Sequence, residues 1–478
     1  MCEKCKNINI PEGKAGDSME FSMKDLCNRQ NRVRYNWGFQ FALWCAILWG
    51  FCYQLLETLL DGRHFFLHPA SVQEAFSMGT ALAVFFTVLI ALISLVWSGM
   101  NGGIRELFRA AFASKKVVLC LLTEAVVGGA AAWATYVTAG LLNTLFAVVG
   151  VMFYPLLGSF LSRKWLHEKI SSRSWVGIGI IMAGWVIFYL GAFQNGGWTR
   201  NILTGSILGV LTGIGWGIEG AVASYLTDVL ETETGVAVRF SYEAVLWILL
   251  LAVLAVVRPE SLVFDYAGQI LRQPGAFAMV FLIALCLTFN YFSWYRAFTL
   301  LGVTKGLVIS DASGFITIGA GMLLAVSMPA WLDILASVVM IAGILWIYLF
   351  GIQEAGPYRE ATLLSDPSMA DGAVLRTRDP VKLRLLAYIA INGPVWDYEV
   401  ASWFSEGIPN RKRKFRCRNK IRTYLIEMWA AGLLSSVENS QDQTGRFQKG
   451  KLLSKYQLTV EGCRRLQENQ GTEKRGED

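Results

Sequence analysis

Leu48-Trp49-Gly50 lies in an apolar run that starts at Tyr35, and Gly215-Trp216-Gly217 lies in a second such run about 160 residues later. The correspondence spreads outward from these two tryptophans. Trp133, with Tyr136 a turn later, is answered by Trp294-Tyr295 with Phe298 a turn later, and Met182-Ala183-Gly184 by Ile341-Ala342-Gly343. Ten mostly apolar stretches of roughly twenty residues, each long enough to cross a bilayer core, fill the chain from Tyr35 to Gly351. They are expected at 35–60, 78–96, 117–136, 141–161, 175–193, 202–226, 236–257, 276–298, 303–326 and 331–351. An odd number of crossings in each copy turns the second copy upside down relative to the first, the sequence trace of an inverted-repeat transporter.

Hydrophobic residues make up 54% of the chain, and the mean hydropathy of +0.43 argues against a string of soluble domains. Charge is sparse before Gly351 and dense after it. The expected organisation is an N-terminal tail (1–34), a first five-helix repeat (35–193), a second (194–351), a linker (352–378), a soluble domain (379–470) and a disordered tail (471–478). The polar first 34 residues lack an apolar run with a cleavage site, so the run from Tyr35 reads as a retained span. Cys45, Cys52, Cys120 and Cys286 fall in spans, where a thiol serves as a small apolar packing group. Cys2 and Cys5 form half of a zinc site with no histidine nearby, so no metal is expected. No phosphate-binding G-x-x-x-x-G-K-[ST] loop is present, none of His64, His68 and His167 lies in a span, and neither a cofactor nor an enzymatic activity is expected.

Basic residues in short loops set the orientation. Lys24, Arg29, Arg32 and Arg34 precede the first span; Arg105, Arg109, Lys115 and Lys116 separate spans two and three; Arg163, Lys164, Lys169 and Arg173 separate spans four and five. These segments fall on one side, assigned to the cytoplasm, which makes both termini cytoplasmic in a multi-pass protein of the cytoplasmic or plasma membrane. Arg63, Arg200, Arg258 and Arg272 are thinly spread on the other side, and the turn Ser327-Met328-Pro329-Ala330 has no basic residue. One loop departs from the rule: after span six come Asp228, Glu231 and Glu233 with no Lys or Arg.

Ionisable groups inside spans are costly and are functional suspects. Glu57, Glu124, Glu219, Glu243 and Asp311 are the acids, and Arg239, Arg296 and Lys305 the bases. Two accounts stay open. One is a gate of ion pairs, such as Asp311 with Arg296 or Arg239 with Glu243 one helical turn on. The other has Glu219 or Asp311 facing a cavity and binding a proton or a substrate ammonium. Trp133, Tyr136, Tyr154, Trp216, Asn290, Tyr291 and Trp294 are the candidates for an amphipathic substrate pocket. Gly205, Gly209, Gly213 and Gly217, each four apart, give span six a smooth face, suited to tight packing or to one repeat rocking on the other.

Tyr154-Pro155-Leu156-Leu157, followed by the segment Leu161 to Ser171 around Glu168, resembles the proline-containing fourth helix and the L-G-E-x-L-S loop of the EamA-type drug/metabolite transporter superfamily. His167 stands where that family usually has glycine, and Trp175-Val176-Gly177 through Gly184 resembles its fifth helix. The second half departs further: Phe315 stands near the family proline, and Met328-Pro329-Ala330 replaces the glutamate loop. The resemblance covers about 35–351 and implies a carrier without ATPase machinery, in a superfamily that includes exporters of amino acids and other metabolites.

After the polar linker the pattern turns helical at Val381 to Ile389, Glu399 to Ser405 and Phe415 to Ala431, followed by a polar segment and a last helix at Val460 to Gln467. This order resembles a winged-helix domain, with the third helix for recognition and the polar hairpin as wing. Arg411, Lys412, Arg413, Lys414, Arg416, Arg418, Lys420 and Arg422 crowd the recognition helix, and Arg446, Lys449 and Lys451 the wing. From Asp379 onward the net charge is roughly +6, most of the chain's +7, as suits a polyanion partner. DNA, anionic headgroups of the inner leaflet and a protein-interaction role all remain open.

The expected fold is therefore an all-α membrane protein of ten transmembrane helices in two inverted five-helix repeats, with a small α+β winged-helix domain. The expected function is secondary transport, as an exporter, of a small amphipathic metabolite such as an amino acid, by alternating access. The rival is a membrane-tethered ligand sensor that regulates transcription. Expected partners are membrane lipid, a small-molecule substrate, DNA or anionic headgroups at the C-terminal domain and, as an option, a second copy in a homodimer.

Overall fold

The computed structural model describes residues 23–61, 65, 67, 69–101, 103–142, 154–196, 200–325, 330–364 and 372–470. Residues of the expected fourth span between 143 and 153, the turn 326–329, Cys2, Cys5, Arg63, His64 and His68 lie outside them. Up to Gly351 the described chain is helical: α1 (Met23–Leu60), α2 (Val72–Met100), α3 (Ile104–Ala111), α4 (Lys115–Leu141), α5 (Tyr154–Trp165), α6 (Ser172–Gly196), α7 (Arg200–Val229), α8 (Thr232–Val257), α9 (Leu262–Arg272), α10 (Pro274–Leu301), α11 (Val303–Ser310), α12 (Ser313–Ala325) and α13 (Trp331–Gly351). Seven of these, α1, α2, α4, α7, α8, α10 and α13, are long and apolar enough to cross a membrane, so the chain is built as a multi-pass membrane protein. Large apolar side chains such as Leu92, Val96, Leu249 and Val338 point outward from these helices, as a lipid-facing surface requires.

Four differences from the sequence expectation matter. The expected ninth span is two helices, α11 and α12, separated at Asp311-Ala312. Helix α1 begins at Met23, inside the expected tail, and by its 38 residues reaches about 57 Å, well beyond a bilayer core. Two unforeseen short helices, α3 and α9, lie at the ends of the bundle and pack against α8 and α2 respectively. The fourth is the linker: Arg359 is 1% exposed and forms part of a buried interface.

The helices pack in a regular set of pairs: α1 on α10, α4 on α7, α6 on α13, α2 on α8, α5 on α7 and α1 on α12. Glycines permit the closest approaches. A Cβ on Gly50 would lie 3.0 Å from the Ser313 carbonyl at the start of α12, and one on Gly217 would lie 3.1 Å from the Tyr154 carbonyl at the start of α5. Where α6 crosses α13, a Cβ on Gly184 would meet the Ala336 carbonyl at 3.1 Å, and one on Gly343 the Gly177 carbonyl at 3.2 Å.

The C-terminal domain runs α14 (Val381–Asn392), β1 (Val395–Trp396), α15 (Asp397–Phe404), α16 (Arg411–Ala430), β2 (Leu434–Gln441), β3 (Leu452–Leu458) and α17 (Val460–Gln470). The strands form one antiparallel sheet in the order β1-β3-β2, and the β2–β3 hairpin is the polar segment expected as a wing. Leu383, Leu386, Ile421, Leu425, Met428, Leu434 and Leu466 make its core.

This domain sits on one end of the helix bundle. Arg34 donates to the Ala355 and Gly356 carbonyls (3.2 and 2.6 Å), and the Lys169 amide donates to the Tyr358 carbonyl (2.8 Å). Lys116 at the start of α4 pairs with Glu468 (2.8 Å), while Asp228 at the end of α7 pairs with Arg359 (2.7 Å) and Arg465 (3.1 Å). Arg296, near the end of α10, pairs with Glu427 (2.8 Å). The early parts of α1, α4 and α6 and the late parts of α7, α10 and α13 thus share one end of the bundle. The acidic loop that broke the positive-inside pattern is accounted for: Asp228 and Glu231 answer Arg359, Arg465 and Lys420.

Candidate functional site

Two groups of buried polar side chains lie at the centre of the bundle. The first is a box of aromatic rings. Trp49 on α1 meets Trp216 on α7 at 4.9 Å, Trp294 on α10 at 5.8 Å and Tyr154 on α5 at 6.3 Å. Tyr154 in turn meets Trp216 (6.5 Å) and Trp294 (6.4 Å), and Tyr291 meets Trp294 at 5.9 Å. The helix break borders this box: the Tyr154 hydroxyl donates to the Leu307 carbonyl of α11 at 2.9 Å, and Asn290 Nδ2 donates to the Cys45 carbonyl at 2.8 Å. Trp185 Nε1 donates to Asp311 Oδ2 at 2.6 Å, within the break itself.

Burial normally goes with hydrogen bonding. Here several buried polar atoms have no hydrogen-bond partner among the described residues: Trp216 Nε1, Trp294 Nε1, the Tyr53 hydroxyl, Asn290 Oδ1 and Asp311 Oδ1. Donors and acceptors are both left over, beside rings that meet tilted or edge-on. That combination suits a small molecule with an apolar body, one hydrogen-bonding cation and one acceptor.

The second group is ionic and joins α4, α7 and α8. Arg239 Nη2 lies 2.9 Å from Glu219 Oε1, and Nη1 lies 2.7 Å from Glu243 Oε2. Thr87 and Trp247 both donate to Glu243 Oε1, at 2.7 and 3.2 Å. Tyr295 donates to Glu124 and Glu219, each at 3.3 Å, and among the described residues Glu124 makes no ion pair. Gly128 and Gly129 leave room for this cluster: a Cβ on Gly129 would stand 3.0 Å from the Glu243 carboxyl, and one on Gly128 would overlap Arg239 and Glu219. Two carboxyls therefore pair with one guanidinium, a third lies one tyrosine hydroxyl away, and Oε2 of both Glu124 and Glu219 lacks a partner among the described residues. So lopsided a buried cluster is stabilised by taking up positive charge, as a proton or as a cation.

Of the expected pocket residues, Tyr154, Trp216, Asn290, Tyr291 and Trp294 come together. Trp133 does not: it donates to Thr80 at 3.0 Å and packs edge-on against Phe76, in a separate small cluster with Leu208. Tyr136 packs on Phe86 at the border of the ionic group. Of the expected ionic residues, Glu124, Glu219, Arg239 and Glu243 meet as one network. The pairing of Asp311 with Arg296 is replaced: Arg296 reaches out of the bundle to Glu427, whereas Asp311 turns to Trp185 behind the helix break. Glu57 is half-buried near the end of α1, and Lys305 lies over the Tyr35 ring at 5.4 Å. Trp49, Trp185 and Tyr53 were absent from the expected site; the repeat match of Trp49 to Trp216 was the available signal for the first.

The basic cluster of the C-terminal domain divides. Arg418 donates to the Arg446 carbonyl (2.6 Å), Arg422 lies 3.5 Å from Asp397 and 4.8 Å from the Phe447 ring, and Lys420 pairs with Glu231. Arg411, Lys412, Arg413, Lys414 and Arg416 are exposed on the first half of α16.

No protein-family model and no curated protein matches this sequence. The chain is similar to a solved structure described only as "Crystal structure of protein", at 15% identity and a TM-score of 0.50, over 66% of this chain and 96% of that one. At that identity the likeness bears on the fold alone.

Proposed function

We propose that the chain is a secondary transporter, resembling the EamA-type carriers, that moves a small amphipathic metabolite such as an amino acid outward by alternating access between two inverted repeats. It acts without covalent chemistry. The observation that carries this reading is the contact of Trp49 with Trp216 in a box of rings whose neighbouring polar atoms are left unpaired. Those tryptophans are equivalent in the sequence repeat, so the box lies where a two-fold relation between the halves would put a shared site.

Three further features support it. Replacing each first-half helix by its second-half counterpart leaves the packing pairs unchanged: α1 on α10 becomes α7 on α4, and α5 on α7 becomes α12 on α1. Helices α1 and α4 start at the end of the bundle where their counterparts α7 and α10 finish, as inversion requires. His167 has φ +54°, in the left-handed region that favours glycine, and stands where the resembled family has its glycine. In this reading α5 and the two parts of the broken helix beside the box, α11 and α12, line the route, Glu124 and Glu219 take up and release the coupling proton or a substrate ammonium, and the C-terminal domain lies in the cytoplasm with both termini.

Counterflow of labelled amino acids into proteoliposomes carrying the full chain tests it. Uptake above protein-free vesicles, abolished by Trp294→Ala, is the expected result. A second reading, a ligand sensor, is favoured by the ion pairs that join α4, α7 and α10 to the C-terminal domain. Binding without flux for every ligand tried would favour the sensor.

A further inference from the structure

The exposed basic half of α16 has a plane to face. Lys420 pairs with Glu231 and Glu427 pairs with Arg296, and these two residues stand seven apart, on one face of the helix. That face lies across the bundle end, from the α7–α8 loop to the end of α10. Seven and four residues back from Lys420 come Arg413 and Arg416, on the same face and about 10 and 6 Å further along the axis. Beyond Lys420 this line of cations is exposed, on the face that Lys420 turns to the bundle end.

A second element marks the depth of that plane. Short α3 exposes Ile104 and Phe108, with Phe112 just after it, beside Arg105, the pattern of a helix lying at a bilayer surface. On its other side Glu106 accepts from the Val381 amide at 2.5 Å, which ties the C-terminal domain to the same level. The sequence of α16 itself is also one-sided. Its first turn has no acid and four consecutive cations, Arg411 to Lys414, at the positive end of the helix dipole. Among the described residues, the side chains of Arg411, Lys412, Arg413, Lys414 and Arg416 make no ion pair or hydrogen bond, an arrangement that repels itself unless an external anion answers it.

We infer that the first half of α16 docks on anionic lipid headgroups of the adjacent leaflet, so that the winged-helix-like domain is held between the bundle end and a charged bilayer surface. Nucleic acid fits less well: the Lys420–Glu427 face that would enter a major groove is already against the helix ends. The inference rests on the membrane reading of the bundle and not on transport.

The test uses the full chain in nanodiscs of phosphatidylcholine or of an equal mixture with phosphatidylglycerol, with tryptic cleavage after Arg411, Lys412 and Lys414 followed by mass spectrometry. Cleavage is expected to be roughly tenfold slower in the anionic discs, since each headgroup-level cation adds to the attraction. High salt, or the double substitution Arg413→Gln and Arg416→Gln, should remove the difference. Because both side chains are exposed, these substitutions leave the core intact, and unchanged heat denaturation checks this. Equal cleavage in both discs overturns the proposal. So does protection by duplex DNA in phosphatidylcholine discs with none from phosphatidylglycerol.

Discussion

The bundle centre and the docking interface each bury several charges, and they balance them in opposite ways. At the interface, Asp228 is shared by Arg359 and Arg465, and Glu427 by Arg296 and Lys382, so each of these two carboxyls has two cations at 2.7 to 3.1 Å. At the centre, Glu219 and Glu243 share the guanidinium of Arg239, Glu124 is joined to them only through Tyr295, and Oε2 of Glu124 and of Glu219 has no partner among the described residues. A saturated cluster acts as a clamp. An unsaturated one is costly to keep, and the cost is understandable where positive charge must come and go.

The largest expected effect comes from removing the lone central cation. Arg239→Met leaves Glu219 and Glu243 buried without a counter-charge and should cost about 3–5 kcal/mol, read by heat denaturation in detergent. At the clamp, Asp228→Asn retains the shape but removes the charge shared by two arginines. A loss of about 2 kcal/mol is expected, seen as faster proteolytic release of the C-terminal domain with the bundle intact. Glu124→Gln separates function from stability: denaturation should shift by less than about 1 kcal/mol while flux falls at least roughly tenfold. A large loss of stability in this variant would make the central cluster a clamp as well.

Acid sharpens the comparison. Burial alone would push the Glu427 carboxyl up, but Arg296 and Lys382 outweigh it and hold the group below its ordinary value. Its contribution is therefore complete above the usual carboxylate range and is lost as pH falls through the depressed value. Thermal unfolding followed at decreasing pH should show this loss, and Glu427→Gln should lack it. The smallest effect is local: His167→Gly relieves a left-handed backbone and should be neutral or stabilising by up to about 1 kcal/mol.

The apolar helices, the Arg239–Glu243 pair one turn apart and the wing hairpin were legible because each follows from local spacing. Most of the rest depends on partners distant in sequence. Helix α11 ends at Ser310 without a proline, but Ser310-Asp311-Ala312-Ser313-Gly314 is a run of cap and turn residues, a local signal that the reading of one continuous span passed over. Trp133 is the repeat counterpart of Trp294, and its neighbours Thr80 and Phe76, distant in sequence, remove it from the central box. Arg359 looked like one more polar linker residue. The available hint was the loop with Asp228, Glu231 and Glu233: acids without bases, where bases were expected, signalled that cations from elsewhere in the chain would arrive.

Side-specific labelling puts the inverted arrangement to the most direct trial. Single cysteines at Lys169, before α6, and at Trp331, where α13 begins, would be introduced into a chain whose own cysteines are replaced by serine. An impermeant maleimide added to sealed, uniformly oriented vesicles should then reach one site from outside and the other only after the vesicles are opened. Labelling of both from the same side would contradict oppositely facing halves, and with them the proposed shared site at Trp49 and Trp216.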